Sequence, residues 1–207
     1  MDESFFLKGL ILGFSIAAPV GPIGLLCIRR TLTQGMAGGF ISGLGAATAD
    51  GFYGAAAAFG LTVISQFFLD QAIILQWFGS FFLVYLGWTT LASKPGDQAA
   101  QGEVFSLGRN YLSTFFLTIT NPMTILSFGA VFSGLGLGLV NRGGESAVLL
   151  VGGVVSGSIL WWLCLSCSVA YLKEKISPSR LVWVNRFAGI LLLGFGIAAV
   201  VGLVKSW

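Results

Sequence analysis

Residues 18–50 read APVGPIGLLCIRRTLTQGMAGGFISGLGAATAD, and the reading of this stretch decides the fold. Pro19, Gly21, Pro22 and Gly24, with Gly13 shortly before them, interrupt an apolar segment long enough to cross a bilayer. Each proline removes a backbone donor and clashes with the preceding turn, while the glycines let the chain bend. Lipid offers no hydrogen bonds, so backbone leaves helical geometry at membrane depth only where protein or a wet cavity replaces them. The stretch ends on Asp50, a carboxylate near the middle of the next apolar segment. A broken helix followed by a lone intramembrane acid points to a pathway across a membrane.

Composition supports this setting. Apolar residues make up 56% of the 207 and charged residues 9%, with a mean hydropathy of +0.90. A typical soluble domain carries roughly 25% charge. At about 20 residues per crossing, six segments fit, near 5–27, 38–64, 72–92, 111–135, 146–171 and 183–204. The expectation is an all-α integral membrane protein, one membrane domain over residues 1–207. Asp2 and Glu3 precede the first apolar run where a cleaved leader would carry Lys or Arg, so that run reads as a retained span.

Of the 11 basic residues, Arg29, Arg30, Lys94, Arg109, Lys173, Lys175, Arg180 and Arg186 fall in the first, third and fifth loops. Lys8, Arg142 and Lys205 fall on the other side. Basic residues mark the cytoplasmic side, so both termini are expected outside. Arg29 and Arg30 read first as orientation anchors and second as a mouth attractive to anions, as does Arg109. No basic stripe with interleaved aromatics exists, so a nucleic-acid partner is excluded.

The one long polar stretch, SKPGDQAAQGEVFSLG from Ser93 to Gly108, divides the chain. It sets a cytoplasmic linker at 93–109 between a first unit, 1–92, and a second, 110–207. Three crossings per unit invert the second relative to the first, which describes two inverted three-helix repeats. PVGPIG in the first unit is answered by TNPMTI, Thr120 to Ile125, in the second, and GGFISGLGAA by GGVVSGS. Gly39 with Gly43 and Gly153 with Gly157 have the four-residue spacing that lets membrane helices approach closely.

Asp50 is the residue for proton coupling. The other seven acids lie at termini, loops or span edges. A carboxyl out of water is poised between protonated and ionised forms. The broken helices supply the binding groups: Pro19, Gly21 and Pro22 in the first unit, Asn121, Pro122 and Thr124 in the second. Half-helix N-termini after Pro22 and Pro122 present a partial positive charge suited to a carboxylate. Gly45 in the Asp50 segment and Trp161, four residues after Gly157, complete the expected substrate-binding set. Cys27, Cys164 and Cys167 read as buried small hydrophobes, because the single CxxC has no second pair to complete a zinc site. With no His and no pair of buried carboxylates, neither a metal centre, a cofactor nor an enzyme is indicated.

These motifs resemble those of the LysE/RhtB family of amino-acid exporters. PVGPIG is similar to its proline-glycine-proline signature, here spread to Pro-Val-Gly-Pro by Val20 and Gly21. GLGAATAD, Gly43 to Asp50, resembles its Gly-x-Gly-x-x-x-x-Asp pattern; Asn121-Pro122 matches its Asn-Pro; Gly153, Gly157 and Trp161 resemble its Gly-xxx-Gly-xxx-Trp. The resemblance implies a secondary transporter that exports an amino acid or close derivative across the bacterial inner membrane by proton antiport. Its partners would be the amino acid, protons and lipid, and a homo-oligomer is compatible. The alternatives are a divalent metal-ion exporter of the same superfamily and a non-transporting membrane partner protein.

Overall fold

The computed structural model describes residues 3–19, 21–59, 71–92, 106–121, 124, 127–128, 144–173 and 178–205. Among these lie seven helices: α1 (Glu3–Ala17), α2 (Pro22–Gln34), α3 (Met36–Ala58), α4 (Ala72–Ala92), α5 (Leu107–Ile119), α6 (Gly144–Lys173) and α7 (Pro178–Lys205). α4, α6 and α7 are each long and apolar enough to cross a membrane. α1 and α2 pass that test as a bent pair, with 80° between them. α3 spans about 35 Å at 1.5 Å per residue but is diluted by glycine, Ser42, Thr48 and Asp50. Most of its residues are buried against α2, α5 and α6.

The expected segment 5–27 is therefore two helices, and the second runs on to Gln34. Pro22 opens α2 at a position where its missing N–H costs nothing. Gly35, at φ 86°, turns the chain into α3. The expected linker 93–109 falls largely outside the described residues, and so does the expected segment 111–135 beyond Asn121, save Thr124, Ser127 and Phe128. α5 begins at Leu107, capped by Ser106, whose hydroxyl accepts from the Arg109 N–H.

α1 packs along α6, α3 along α5 and α6, and α4 along α7, with α2 against α3, α6 and α7. Glycine sets the closest seams. A Cβ on Gly153 or Gly157 would fall on the carbonyl oxygen of Phe6 or Leu10, and one on Gly9 or Gly13 on that of Leu150 or Val154. The interior is built of small side chains such as Ala46, Ala47 and Ala49 with Leu26, Leu117 and Trp162. Large apolar groups point outward: Phe78 is 69% exposed, Trp88 67% and Trp183 71%. An apolar exterior around a small-residue interior is what a lipid solvent selects.

Candidate functional site

The α1–α2 break opens a cavity of about 250 Å³. Clefts that take drug-sized ligands are roughly 300–1,000 Å³, so this one suits a small molecule. The end of α1 (Ile16, Ala17), the break (Pro19, Gly21) and the start of α2 (Pro22, Ile23, Gly24) form one wall. Ala46 and Asp50 of α3 face it, with Thr118 of α5, Asn121, Thr124 and Ser127 beyond, and Trp162 of α6. Local geometry explains the polar character of the break. The first turn of α2 has no side-chain cap, and the first N–H to find a helical partner is that of Leu25, on the Gly21 carbonyl. The N–H ends of Ile23 and Gly24, with the α2 dipole behind them, make this wall receptive to negative charge.

Asp50 is buried, and its Oδ2 accepts a 2.7 Å hydrogen bond from Ser158 Oγ on α6. Ser158 Oγ in turn accepts from Trp162 Nε1 at 3.1 Å. The indole thus orients the hydroxyl that holds the carboxylate, and the chain ties α3 to α6. One turn after Asp50, Tyr53 donates from its phenol to the Ile119 carbonyl at 2.5 Å and ties α3 to α5. Thr118, which lines the cavity, donates its hydroxyl to the Thr114 carbonyl. A smaller cavity, about 110 Å³, lies across Pro22 and Asn121, between α4, α5 and α7.

Of the residues singled out in the sequence, Pro19, Gly21, Pro22, Asp50, Asn121 and Thr124 line this one cavity. Pro122 lies outside the described residues. Gly45 does not reach the cavity; a Cβ there would fall on the Tyr111 carbonyl oxygen, so its place is the α3–α5 seam. Trp161 is also away from the lining, set edge-on to Phe14 with ring centroids 5.3 Å apart. Trp162, its neighbour, is the tryptophan in the wall. Sequence reasoning preferred Trp161 to its neighbour Trp162 for the cavity, and it missed Ser158. The signal available was register, since Ser158 and Trp162 are four apart and share a helix face.

Two other expectations need correction. Cys27 is fully buried, but Cys164 and Cys167 are exposed on α6. Arg30 is not a surface anchor: it is 7% exposed, and its guanidinium sits among α2, α3 and α5. Among the described residues no group of three or more His, Cys, Asp or Glu could hold a metal ion.

Comparison with known proteins gives a consistent set. The family described as LysE type translocator matches residues 14–202. The chain is 29% identical over 198 residues to the candidate amino acid efflux protein YcgF of Bacillus subtilis, covering 93% of each. It is 30% identical over 132 residues to the threonine efflux protein of Salmonella typhi, covering 59% of this chain and 62% of that protein. It is 26% identical over 196 residues to the leucine efflux protein of Salmonella choleraesuis, covering 92% of this chain and 90% of that one. No solved structure matches.

Proposed function

The chain belongs to the LysE type translocators, and from that premise we propose that it exports a small amino acid across the bacterial inner membrane in exchange for protons. The observation that carries this reading is the cavity at the α1–α2 break, where Asp50, an exposed helix N-terminus and an apolar wall meet. A zwitterion fits such a lining. Its carboxylate would sit at the N–H ends of Ile23 and Gly24, and its ammonium would face Asp50 and the Asn121 side chain. Its side chain would lie against Ile16, Ala46 and Trp162. Relatives named for threonine and leucine efflux favour a neutral amino acid.

In this scheme Asp50 holds the proton that enters as substrate leaves. With Asp50 ionised, Ser158 donates to Oδ2 and keeps α3 against α6; with it protonated, that bond weakens. The transport cycle is alternating access by two inverted repeats of three spans each, α1 to α4 with the bent pair α1–α2 as one span, and α5 to α7, with the α2–α3 turn and both linkers to α5 and α7 cytoplasmic. Helix pairing supports the repeat. Exchanging the two units maps the α1–α6 pair onto α5–α3, and maps α4–α7 onto itself. In both mapped pairs a glycine of the second span meets the backbone of a first span: Gly153 on Phe6, Gly45 on Tyr111.

The test is export from cells loaded with amino acids through dipeptides, comparing wild type, Asp50→Asn and empty vector by mass spectrometry of the medium. Wild type should release one or a few neutral amino acids selectively. Asp50→Asn should lose most of that release while reaching the membrane at the same level. A protonophore should stop wild-type export. Release no faster than from vector, for every amino acid tested, would overturn the reading.

A further inference from the structure

A second charged group is buried in this bundle, and its surroundings differ from those of Asp50. Arg30 Nη1 donates to Ser42 Oγ of α3 at 2.9 Å, and to the Asn110 carbonyl and Thr114 Oγ1 of α5 at 2.9 and 2.8 Å. Its Nη2 donates to Ser113 Oγ at 2.7 Å. All four acceptors are neutral oxygens, and Arg29 and Arg109 are close enough for their positive charges to act on it. A buried cation is usually held by an anion; among the described residues none faces this one.

The acceptors are also arranged to be released. Ser42 Oγ donates to the Gly38 carbonyl, and Thr114 Oγ1 and Ser113 Oγ both donate to the Asn110 carbonyl. Withdrawing the guanidinium leaves each hydroxyl still bonded within its own helix. Only the guanidinium then lacks partners, and the group that best replaces four neutral oxygens is a carboxylate, through two parallel charge-assisted bonds.

Register places this group on the transport path. Ser42, Ala46 and Asp50 are spaced by four on α3; Thr114 and Thr118 are spaced by four on α5. Ala46, Asp50 and Thr118 line the cavity. Arg30 therefore sits about 6 Å, one turn, beyond the cavity rim on the side of the α2–α3 turn. Between them lie Leu26 and Cys27 of α2 and Leu117 of α5, all buried. That layer closes the cavity on this side, and Arg30 bolts α2 and α3 to α5 behind it.

We propose that Arg30 is a second binding residue for the substrate carboxylate and the bolt of the gate on the α2–α3 side. A carboxylate arriving there takes over the guanidinium, the hydroxyls let go, and α5 parts from α2 and α3 to open the Leu26–Cys27–Leu117 layer. This rests on the amino-acid export reading for the identity of the carboxylate. The neutral acceptors have a mechanistic reason: a resident Asp or Glu would hold the bolt shut against any substrate.

Cys27 reports the gate directly, since it lies in the closed layer and is fully buried. With the exposed Cys164 and Cys167 replaced by alanine, the full-length protein in liposomes carries one thiol. Its alkylation by N-ethylmaleimide is followed alone, with a mixture of common neutral L-amino acids, and with the mixture of their amides, which lack the carboxylate. Labelling of wild-type Cys27 should be slow alone and accelerated by the acids but not the amides. Arg30→Gln should label at least about tenfold faster with no substrate, as loss of bonds to a charged group implies, and the acids should add nothing further. Ser42→Ala with Thr114→Val keeps the guanidinium and removes two acceptors, and should also label fast; it guards against misfolding of Arg30→Gln. Slow labelling in both variants, or acceleration by the amides equal to that by the acids, or none by the acids, overturns the proposal. Amino-acid release from the same liposomes judges the exporter reading separately: release with unchanged labelling sinks the bolt and leaves the exporter standing.

Discussion

Gly152 and Gly153 are neighbours on α6, and replacing each with alanine should have different consequences. A Cβ on Gly153 would fall on the Phe6 carbonyl oxygen, and lie 2.8 Å from Leu10 N and 2.9 Å from Gly9 Cα. These are backbone atoms of α1, so no side chain can turn aside. Optimal contact between carbon atoms is about 3.5–4.0 Å, and α1 and α6 must therefore part by roughly 1 Å. A gap of that size forfeits up to about half of the dispersion attraction across the seam. Overpacking of this kind costs about 1–3 kcal/mol. A Cβ on Gly152 meets nothing within 4 Å. Both substitutions gain the same helix propensity, up to about 1 kcal/mol, so the difference between them isolates the seam at about 1–3 kcal/mol. The assay is titration of the folded protein in mild detergent with dodecyl sulfate, followed by the fluorescence of its 6 tryptophans. Gly152→Ala should shift the midpoint upward or leave it, and Gly153→Ala should lower it. Equal shifts for both would refute the close α1–α6 approach. They would also refute the packing of Ala17 with Trp162 in the core.

Other substitutions test individual bonds. Ser158→Ala removes the donor to Asp50 and the acceptor of Trp162, and should lower stability by about 1–3 kcal/mol in the same titration; Ser158→Thr, which keeps the hydroxyl, should retain export where the alanine variant loses it. Gly35→Ala places a side chain at φ 86° with nothing nearby to contact, so its cost, about 1–2 kcal/mol, is one of backbone conformation alone and should appear without loss of transport specificity. Ser106→Ala removes the cap of α5 and should cost about 0.5–2 kcal/mol, seen as faster hydrogen exchange of the Arg109 amide.

Much of the site's chemistry is legible in the sequence because it is local. Proline beside glycine in an apolar run breaks a helix wherever it sits, and a carboxylate among alanines is out of place in lipid on composition alone. Pro19, Gly21, Pro22, Asp50, Asn121 and Thr124 stand out for these reasons, and the fold brings them to one cavity. Trp161, Trp162 and Gly45 show the limit. Adjacent tryptophans point about 100° apart on a helix, and only the position of α1 and α3 around α6 makes Trp162 the one in the wall and Trp161 the partner of Phe14. Gly45 carries a motif position yet serves a helix crossing, because a missing side chain has no direction that the sequence can record.

Arginine marks the boundary most clearly. Charge bias along the loops reads Arg29 and Arg30 as one anchor at a membrane surface. The sequence by itself determined that this is an all-helical membrane protein whose first apolar segment is broken at Pro19–Pro22 and whose third helix carries an acid amid apolar residues, since hydropathy, proline and charge act over a few residues. The tertiary structure alone decided that α2 turns by 80° and carries Arg30 inward to oxygens on Ser42, Asn110, Ser113 and Thr114, up to 84 residues away. The physical reason is that a guanidinium's partners are chosen by which helices meet. That meeting is set by small-residue seams whose spacing permits close approach without naming the neighbour.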